Sequence, residues 1–328
     1  MQKRTLLLSA AAIALWAVSP VLSAQGKFHT QPIKLIVPYP AGGGTDFFAR
    51  SIAQGMGEEL GQPVVVENRP GASGMIGAQY VAKSAPADGH TVLLGDMTTY
   101  AVNPTLMGKQ QPYDIQKDLA PITLAAKFNF MLMVNPKVLP VNNLQELIGL
   151  AAKSPAGLNY GNPGTGTTHH LATELLARET GMKLVGIPYK GGGPAVQDLL
   201  AGQIGLMVLD RASAKPHIEA GKLRAIAIVG PKRFEGFPDV PTVAESGFKG
   251  FGVDGWQGLA VRAGTPDPAL RAISAAFAKS VASPEMRAKL ASAGIDVTTS
   301  TPAQFAAHIQ AETERWANVI RTNGIKAE

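Results

Sequence analysis

The sequence predicts an α/β protein of two lobes, each a mixed and mostly parallel sheet flanked by helices. Three observations lead there. From residue 33 onward strand-like and helix-like segments alternate, as βαβ units require. A glycine-rich turn between a short apolar run and a helical pattern occurs once in each half, at an offset of 150 residues: Val37-Pro38-Tyr39-Pro40-Ala41-Gly42-Gly43-Gly44 and Ile187-Pro188-Tyr189-Lys190-Gly191-Gly192-Gly193-Pro194. The composition, 45% hydrophobic and 16% charged, is rich enough to bury sizeable cores, and a chain of this length suggests about two of roughly 150 residues each.

The first residues stand apart. Lys3 and Arg4 precede an apolar run over 6–18, and Val21-Leu22-Ser23-Ala24 ends in small residues. Residues 1–24 therefore read as a signal peptide, with the mature chain starting at Gln25 and exported. The rival, an uncleaved anchor, needs roughly 20 apolar residues, and this run is shorter and interrupted by Pro20. Cysteine is absent, so stability rests on core size, and thiolate metal sites are excluded. The formal charge of +6 falls to +4 when Lys3 and Arg4 are removed, since 1–24 hold no Asp or Glu. No basic cluster with interleaved aromatics is visible, which argues against nucleic acid. The mild excess is compatible with drawing small anions to the surface.

The stretch 35–46 organises the rest. An apolar strand at 34–37 runs into three glycines, and Thr45 or Asp46 stands where a helix N-cap belongs, ahead of Phe47, Phe48, Ile52 and Met56. Glycines admit a ligand to main-chain N–H groups, and the helix start adds unpaired donors and a positive dipole end. Such a turn suits an anion. Further strands are expected at 64–67 and 91–94, with helices at 46–60 and 75–84. The segment 104–114 is turn-rich, and 122–126 with 130–135 reads as one interrupted strand or two short ones. A helix at 144–153 and a strand at 158–160 lead into Gly161-Asn162-Pro163-Gly164-Thr165-Gly166-Thr167-Thr168, followed by a helix to about 180. Then come a helix at 195–201, strands at 204–209 and 225–229 around a short helix near 213–220, and a loop-rich stretch 231–251. A strand at 251–261 and helices at 268–282 and 302–321 close the chain. Two crossings, near 127 and near 250, place 25–127 with 251–328 in lobe 1 and 128–250 in lobe 2, joined by a two-stranded hinge.

Over nearly the whole mature length the sequence resembles the substrate-binding proteins of tripartite tricarboxylate transporters, the Bug or TctC family. The resemblance rests on Val37-Pro38-Tyr39-Pro40-Ala41-Gly42-Gly43 with Asp46, Glu67-Asn68-Arg69-Pro70-Gly71, and Asp88-Gly89-His90-Thr91 in the first half. In the second it rests on Gly164-Thr165-Gly166-Thr167 with His170-Leu171, and Pro188-Tyr189-Lys190-Gly191 with Gly221-Lys222-Leu223-Arg224. It implies a type II periplasmic binding protein fold, a periplasmic location, and a receptor that closes on a small carboxylate and hands it to membrane permease subunits. A membrane sensor is the alternative partner. No cofactor or metal is expected, and the protein is expected to be a monomer.

The resemblance also implies a ligand carboxylate held by main-chain amides and bridging water. Tyr39, Ala41, Gly42, Gly43, Thr45 and Asp46 would stand on one side; Met97, Thr98 and Thr99, which follow the strand ending at Leu94, are placed by their position to line the same side. Gly164, Thr165, Gly166, Thr167 and His170 would face them, supported by Tyr189, Lys190 and Gly191. Two positions depart from the family pattern, Thr168 and the pair Asp210-Arg211. A carboxylate would repel another, so capping its helix is the better role for Asp46. Thr165 and Thr167 can donate hydroxyls and also cap the next helix. His169 and His170 point about 100° apart on a helix and cannot clamp one metal. His170 is placed to brace the loop. Lys190 is either solvated or turned to the cleft. Arg211, at a strand's carboxyl end, could meet a second ligand carboxylate or pair with Asp210. Phe128, Phe130 and Trp256 read as hinge packing. Catalysis finds no support: Gly-x-Ser-x-Gly and Gly-x-x-x-x-Gly-Lys-Ser/Thr are absent, and no Gly-x-Gly-x-x-Gly follows either of the strands that lead into the two glycine turns.

Overall fold

The structure, a computed structural model, describes residues 31–234 and 236–326. The expected leader and cleavage site lie outside them. The strands are β1 (Ile33–Val37), β2 (Val64–Asn68), β3 (Thr91–Asp96), β4 (Leu119–Phe128), β5 (Phe130–Val134), β6 (Leu158–Asn162), β7 (Leu184–Pro188), β8 (Leu206–Asp210), β9 (Arg224–Ile228), β10 (Gly255–Arg262) and β11 (Ile295–Val297). They form a six-stranded sheet ordered β11-β4-β10-β3-β1-β2 and a five-stranded sheet ordered β7-β6-β8-β5-β9.

Setting aside β11, the two sheets share one plan. Three parallel strands, β2-β1-β3 and β7-β6-β8, are followed by an antiparallel insert, β10 or β5, and then by β4 or β9. Each insert is the first strand after a crossing. β4 ends in the first sheet at Phe128 and β5 begins in the second at Phe130, so the chain crosses at Asn129. On return, Val253 N–H still donates to Val229 of the second sheet at 2.8 Å, whereas Gly255 pairs with Phe128 of the first. The segment 251–254, expected as strand, is the connector. The expected interrupted strand is two strands in different sheets.

Local sequence accounts for these elements. Leu35, Ile36 and Val37 are buried in succession because β1 is central and covered on both faces. One face carries the helices Gly44–Leu60 and Asp267–Ser280, meeting where Phe48 and Phe277 cross edge to face at 6.4 Å. On the other, the helix Pro302–Asn323 starts from a Thr301/Gln304 capping box, and its Phe305 packs over Gly258 of β10. A Cβ at Gly258 would lie inside that ring. Among the described residues no helix is long and apolar enough to cross a membrane.

This topology revises the repeat. The first glycine turn follows the central strand β1, but the second follows β7 at the sheet edge. Two matching bonds fix the true equivalence: Arg69 N–H to Val37 O and Tyr189 N–H to Asn162 O, both 2.8 Å. The counterpart of Tyr189 is therefore Arg69, and the counterpart of the turn after β1 is the Gly164–Thr167 loop after β6. Similar sequence arose at non-equivalent turns because both need the same strand-to-helix bend.

Candidate functional site

In the first lobe the helix Gly44–Leu60 has Gly43 as its N-cap, in an extended conformation and with no side-chain acceptor. The expectation that Thr45 or Asp46 is the N-cap is thus corrected: Asp46 is the third helical residue and reaches back. Its buried carboxylate accepts from Gly42 N–H at 3.0 Å, Arg50 Nε at 3.0 Å and Asn68 Nδ2 at 2.9 Å. Burial pushes this carboxyl up, but the bonds from Arg50, Gly42 and Asn68 outweigh it and hold the group below its ordinary value. It fixes the turn. Ala41, Gly42 and Gly43 are exposed, and Gly42 takes the left-handed φ of +87° that glycine allows. Beyond Gly42, the amides of Ala41, Gly43, Gly44 and Thr45 make no hydrogen bond among the described residues.

Tyr39 is directed elsewhere than a ligand. Its hydroxyl makes one forked bond, 2.8 Å from each oxygen of Asp96, and Asp96 Oδ1 also accepts from Thr99 N–H at 2.9 Å and Thr99 Oγ1 at 2.8 Å. Burial, with Asp96 alongside, lifts the Tyr39 phenol well above its usual range, and burial raises the Asp96 carboxyl. Thr45 Oγ1 accepts from Gln257 Nε2. Gln257 is 5% exposed, and its other amide atom, Oε1, is buried without a partner.

In the second lobe the loop after β6 is largely self-satisfied. Gly164 N–H donates to Asn162 Oδ1 at 3.0 Å, Gly166 N–H to His170 Nδ1 at 3.1 Å, and Thr167 N–H to Gly164 O at 3.2 Å. Thr167 is the N-cap of the helix Thr168–Thr180, its hydroxyl accepting from His170 N–H at 3.4 Å and donating to Gly164 O at 2.8 Å. The expectation that the Gly164 and Gly166 amides face a ligand is corrected: a glycine loop folded this tightly supplies its own acceptors. His170 braces the loop as the sequence suggests. What remains is Thr165, whose N–H is unengaged and whose Oγ1 is shielded from solvent with no partner.

The lobes touch at this loop. Ser73 Oγ donates to Thr165 O at 3.0 Å, and buried Thr98 Oγ1 donates to Gly166 O at 3.1 Å. Thr98 is thus a lobe-to-lobe contact. Tyr39, Gly74 and Thr99 pack beside Ser73, for a Cβ on Gly74 would come within 2.9 Å of Thr99 Oγ1 and 3.2 Å of Tyr39 Oη. Tyr39, from the turn after β1, thus lies on the same side of the lobe contact as Ser73, which bonds to Thr165 O.

The remaining expected residues lie apart from these contacts. Tyr189 donates to Asp198 Oδ2 at 2.8 Å, and burial with that acceptor pushes its phenol up to about 12. Gly191 is the N-cap of the helix Gly192–Ala201, and Lys190 beside it is exposed. Asp210 caps the helix Arg211–Glu219, accepting from Ser213 N–H and Oγ at 2.9 Å, rather than pairing with Arg211. Arg211 reaches the other lobe. Its Nη1 donates to Ala291 O of the other lobe at 3.2 Å, its guanidinium lies 5.6 and 5.8 Å from the Phe234 and Phe237 rings, and its stem presses on Gly294.

Sequence reasoning missed Ser73, Asp96 and Gln257. A lone amide in the apolar stretch 255–261 of β10 was the available signal for Gln257. Asp96 and Ser73 offered none beyond lying next to expected turns.

Two mixed sheets joined by two crossings, with polar loops meeting between them, define the two-lobed periplasmic binding protein fold. Solved structures share it. BugD superposes with a TM-score of 0.84 at 33% identity, covering 92% of this chain and 100% of that one. R. palustris Rpa4515 with adipate gives 0.85 at 35%, covering 91% and 99%. MatC from Rhodopseudomonas palustris with bound malate gives 0.81 at 33%, covering 89% and 99%. The family described as "Tripartite tricarboxylate transporter family receptor" matches residues 48–325, and BugT of Bordetella pertussis is 37% identical over 300 residues, 91% of either chain. The chain belongs to that family of receptors.

Proposed function

We propose that this protein is a periplasmic receptor that binds a small carboxylate between its lobes and delivers it to a tripartite tricarboxylate-type permease, acting by binding without turnover. The observation that carries this reading is Thr165. Its N–H and hydroxyl are the unengaged donors of a loop otherwise bonded to itself at the contact between the lobes, while the other lobe carries the unengaged amides of Gly43, Gly44 and Thr45 at an uncapped helix start. A helix N-terminus in one lobe and Thr165 in the other offer donors to an anion, with water completing its shell. Asp46 turns its carboxylate to Gly42, Arg50 and Asn68, and the Arg50 guanidinium offsets its charge. Ligand touches both lobes only when they are shut, so binding populates the shut state. The relatives crystallised with adipate and malate support a carboxylate as the ligand class.

A thermal-shift panel of mono-, di- and tricarboxylates, amino acids and aromatic acids tests the reading. A fitting acid at 100 times its dissociation constant adds about 2.7 kcal/mol of stability. Thr165→Val keeps the shape and removes the hydroxyl. It is expected to leave the unliganded melting temperature unchanged or slightly raised, because an unpaired buried hydroxyl is costly, and to weaken the best acid about tenfold. A flat panel with wild-type protein refutes the proposal.

A further inference from the structure

The turn joining β2 to the helix Met75–Gln79 is built from four consecutive residues of positive φ: Gly71 (+130°), Ala72 (+48°), Ser73 (+50°) and Gly74 (+87°). Ala72 and Ser73 are the non-glycine residues of positive φ among those described. A left-handed conformation is costly for residues with a Cβ, and persists only where surrounding bonds over-determine it. Those bonds are present. Asn103 Nδ2 donates to Ser73 O at 3.0 Å, Gly74 N–H donates to Gly71 O at 3.1 Å, and Ser73 Oγ crosses the cleft to Thr165 O. The strained conformation aims a hydroxyl at the other lobe.

That hydroxyl completes a clamp. The peptide between Thr165 and Gly166 is held at its N–H by His170 of its own lobe and at its C=O by Ser73 of the opposite lobe. The next peptide, Gly166 to Thr167, is held at its N–H by Gly164 O and at its C=O by Thr98 of the opposite lobe. Gly166, with φ of +77°, sits where a Cβ would strike Leu106 of the first lobe at 2.6 Å, so the loop is seated tightly. Both carbonyl anchors exist only while the lobes touch. With both peptides fixed, the orientation of Thr165 is fixed as well.

We propose that Ser73 and Thr98 are positioning residues: acting from the opposite lobe, they set Thr165 to receive the ligand only when the lobes are shut. The inference rests on the proposed carboxylate site and deepens it. Neither residue touches the ligand in this scheme, so losing either hydroxyl weakens every acid by one common factor. A neutral hydrogen bond contributes modestly, and the expected loss is about three- to tenfold for Ser73→Ala or Thr98→Val, appearing mainly as faster dissociation. Thr98→Ser, which keeps the hydroxyl, is expected to restore most of the affinity.

Two measurements decide the matter. In the first, dissociation constants and off-rates for at least three acids found by the panel are compared across wild type, Ser73→Ala, Thr98→Val and Thr98→Ser. A uniform loss restored by Thr98→Ser supports positioning. No loss overturns it, and so does a loss confined to one acid, which would make these residues ligand contacts. In the second, small-angle scattering compares dialysed wild type with the Ser73→Ala/Thr98→Val double variant, each shown by circular dichroism to be folded. A larger radius of gyration for the double variant supports the clamp; equal radii overturn it. Should no acid bind wild type, the carboxylate reading fails by itself, and the scattering comparison still judges the contact between lobes.

Discussion

Replacing Asp46 by asparagine is the sharpest test of how the turn after β1 is held. The carboxylate gives one oxygen to Gly42 N–H and Arg50 Nε and the other to Asn68 Nδ2. Asparagine keeps the volume but turns one of those acceptors into a donor. Its oxygen is best placed toward Gly42 and Arg50, which leaves its NH2 against the NH2 of Asn68. Asn68 cannot simply flip, because its Nδ2 also donates to Tyr39 O at 3.1 Å and its Oδ1 accepts from Arg50 Nη2 at 3.1 Å. The Arg50 ion pair adds little, since that side chain is 54% exposed. The loss is then one bond to a charged acceptor plus a buried donor clash, about 2–4 kcal/mol. At ~2–4 °C per kcal/mol for a protein of this size, the melting temperature falls by roughly 4–16 °C. The pH dependence gives an independent check. Asp46 titrates below its unfolded value in the folded chain, so its contribution is complete above the unfolded carboxylate range and is lost as pH falls through the lower folded value. The gap between wild type and Asp46→Asn should hold steady above about pH 5 and close in stronger acid. Circular-dichroism melts from pH 8 to pH 3 measure both. Melting within a degree of wild type at neutral pH, or a gap that never narrows, would refute the account.

Other outcomes follow from the same geometry. Gly77→Ala places a Cβ 2.9 Å from Pro38 Cβ and 3.0 Å from Arg69 O, so urea titration should show a loss of about 1–3 kcal/mol, and a neutral result would mean these two turns are loosely seated. Tyr39→Phe strips the forked phenol bond from half-buried Asp96 but leaves both from Thr99; a loss of about 1–2 kcal/mol is expected, with unchanged stability counting against it. Arg211→Ala removes a bond to Ala291 O and the contact with Phe234 and Phe237, and calorimetry should find mono- and dicarboxylates weakened by the same factor. A loss selective for dicarboxylates would return Arg211 to the ligand.

Much of the fold was legible because burial is written in composition: β1 and β3 read as apolar runs, and the pattern over 302–321 marked the last helix. The family motifs likewise located the turn after β1 and the Gly164–Thr167 loop. Strand order was not legible. Local sequence cannot distinguish a central strand from an edge one, so Tyr189 seemed to match Tyr39 until the pairing of β7 with β6 matched it to Arg69. The donors told a similar story. A glycine-rich loop advertises free amides, yet whether Gly164 and Gly166 keep theirs depends on Asn162 and His170 folding back on them.

The chain by itself therefore determined the class of protein, two α/β lobes with anion-suited turns, because helix starts, glycine bends and apolar periodicity act over a few neighbouring residues. Tertiary structure alone decided which of those turns meet and which donors stay unengaged. Ser73 and Thr165 are 92 residues apart in sequence yet bonded across the lobes. A contact of that kind exists only once both sheets and both crossings are in place, and no local pattern encodes it.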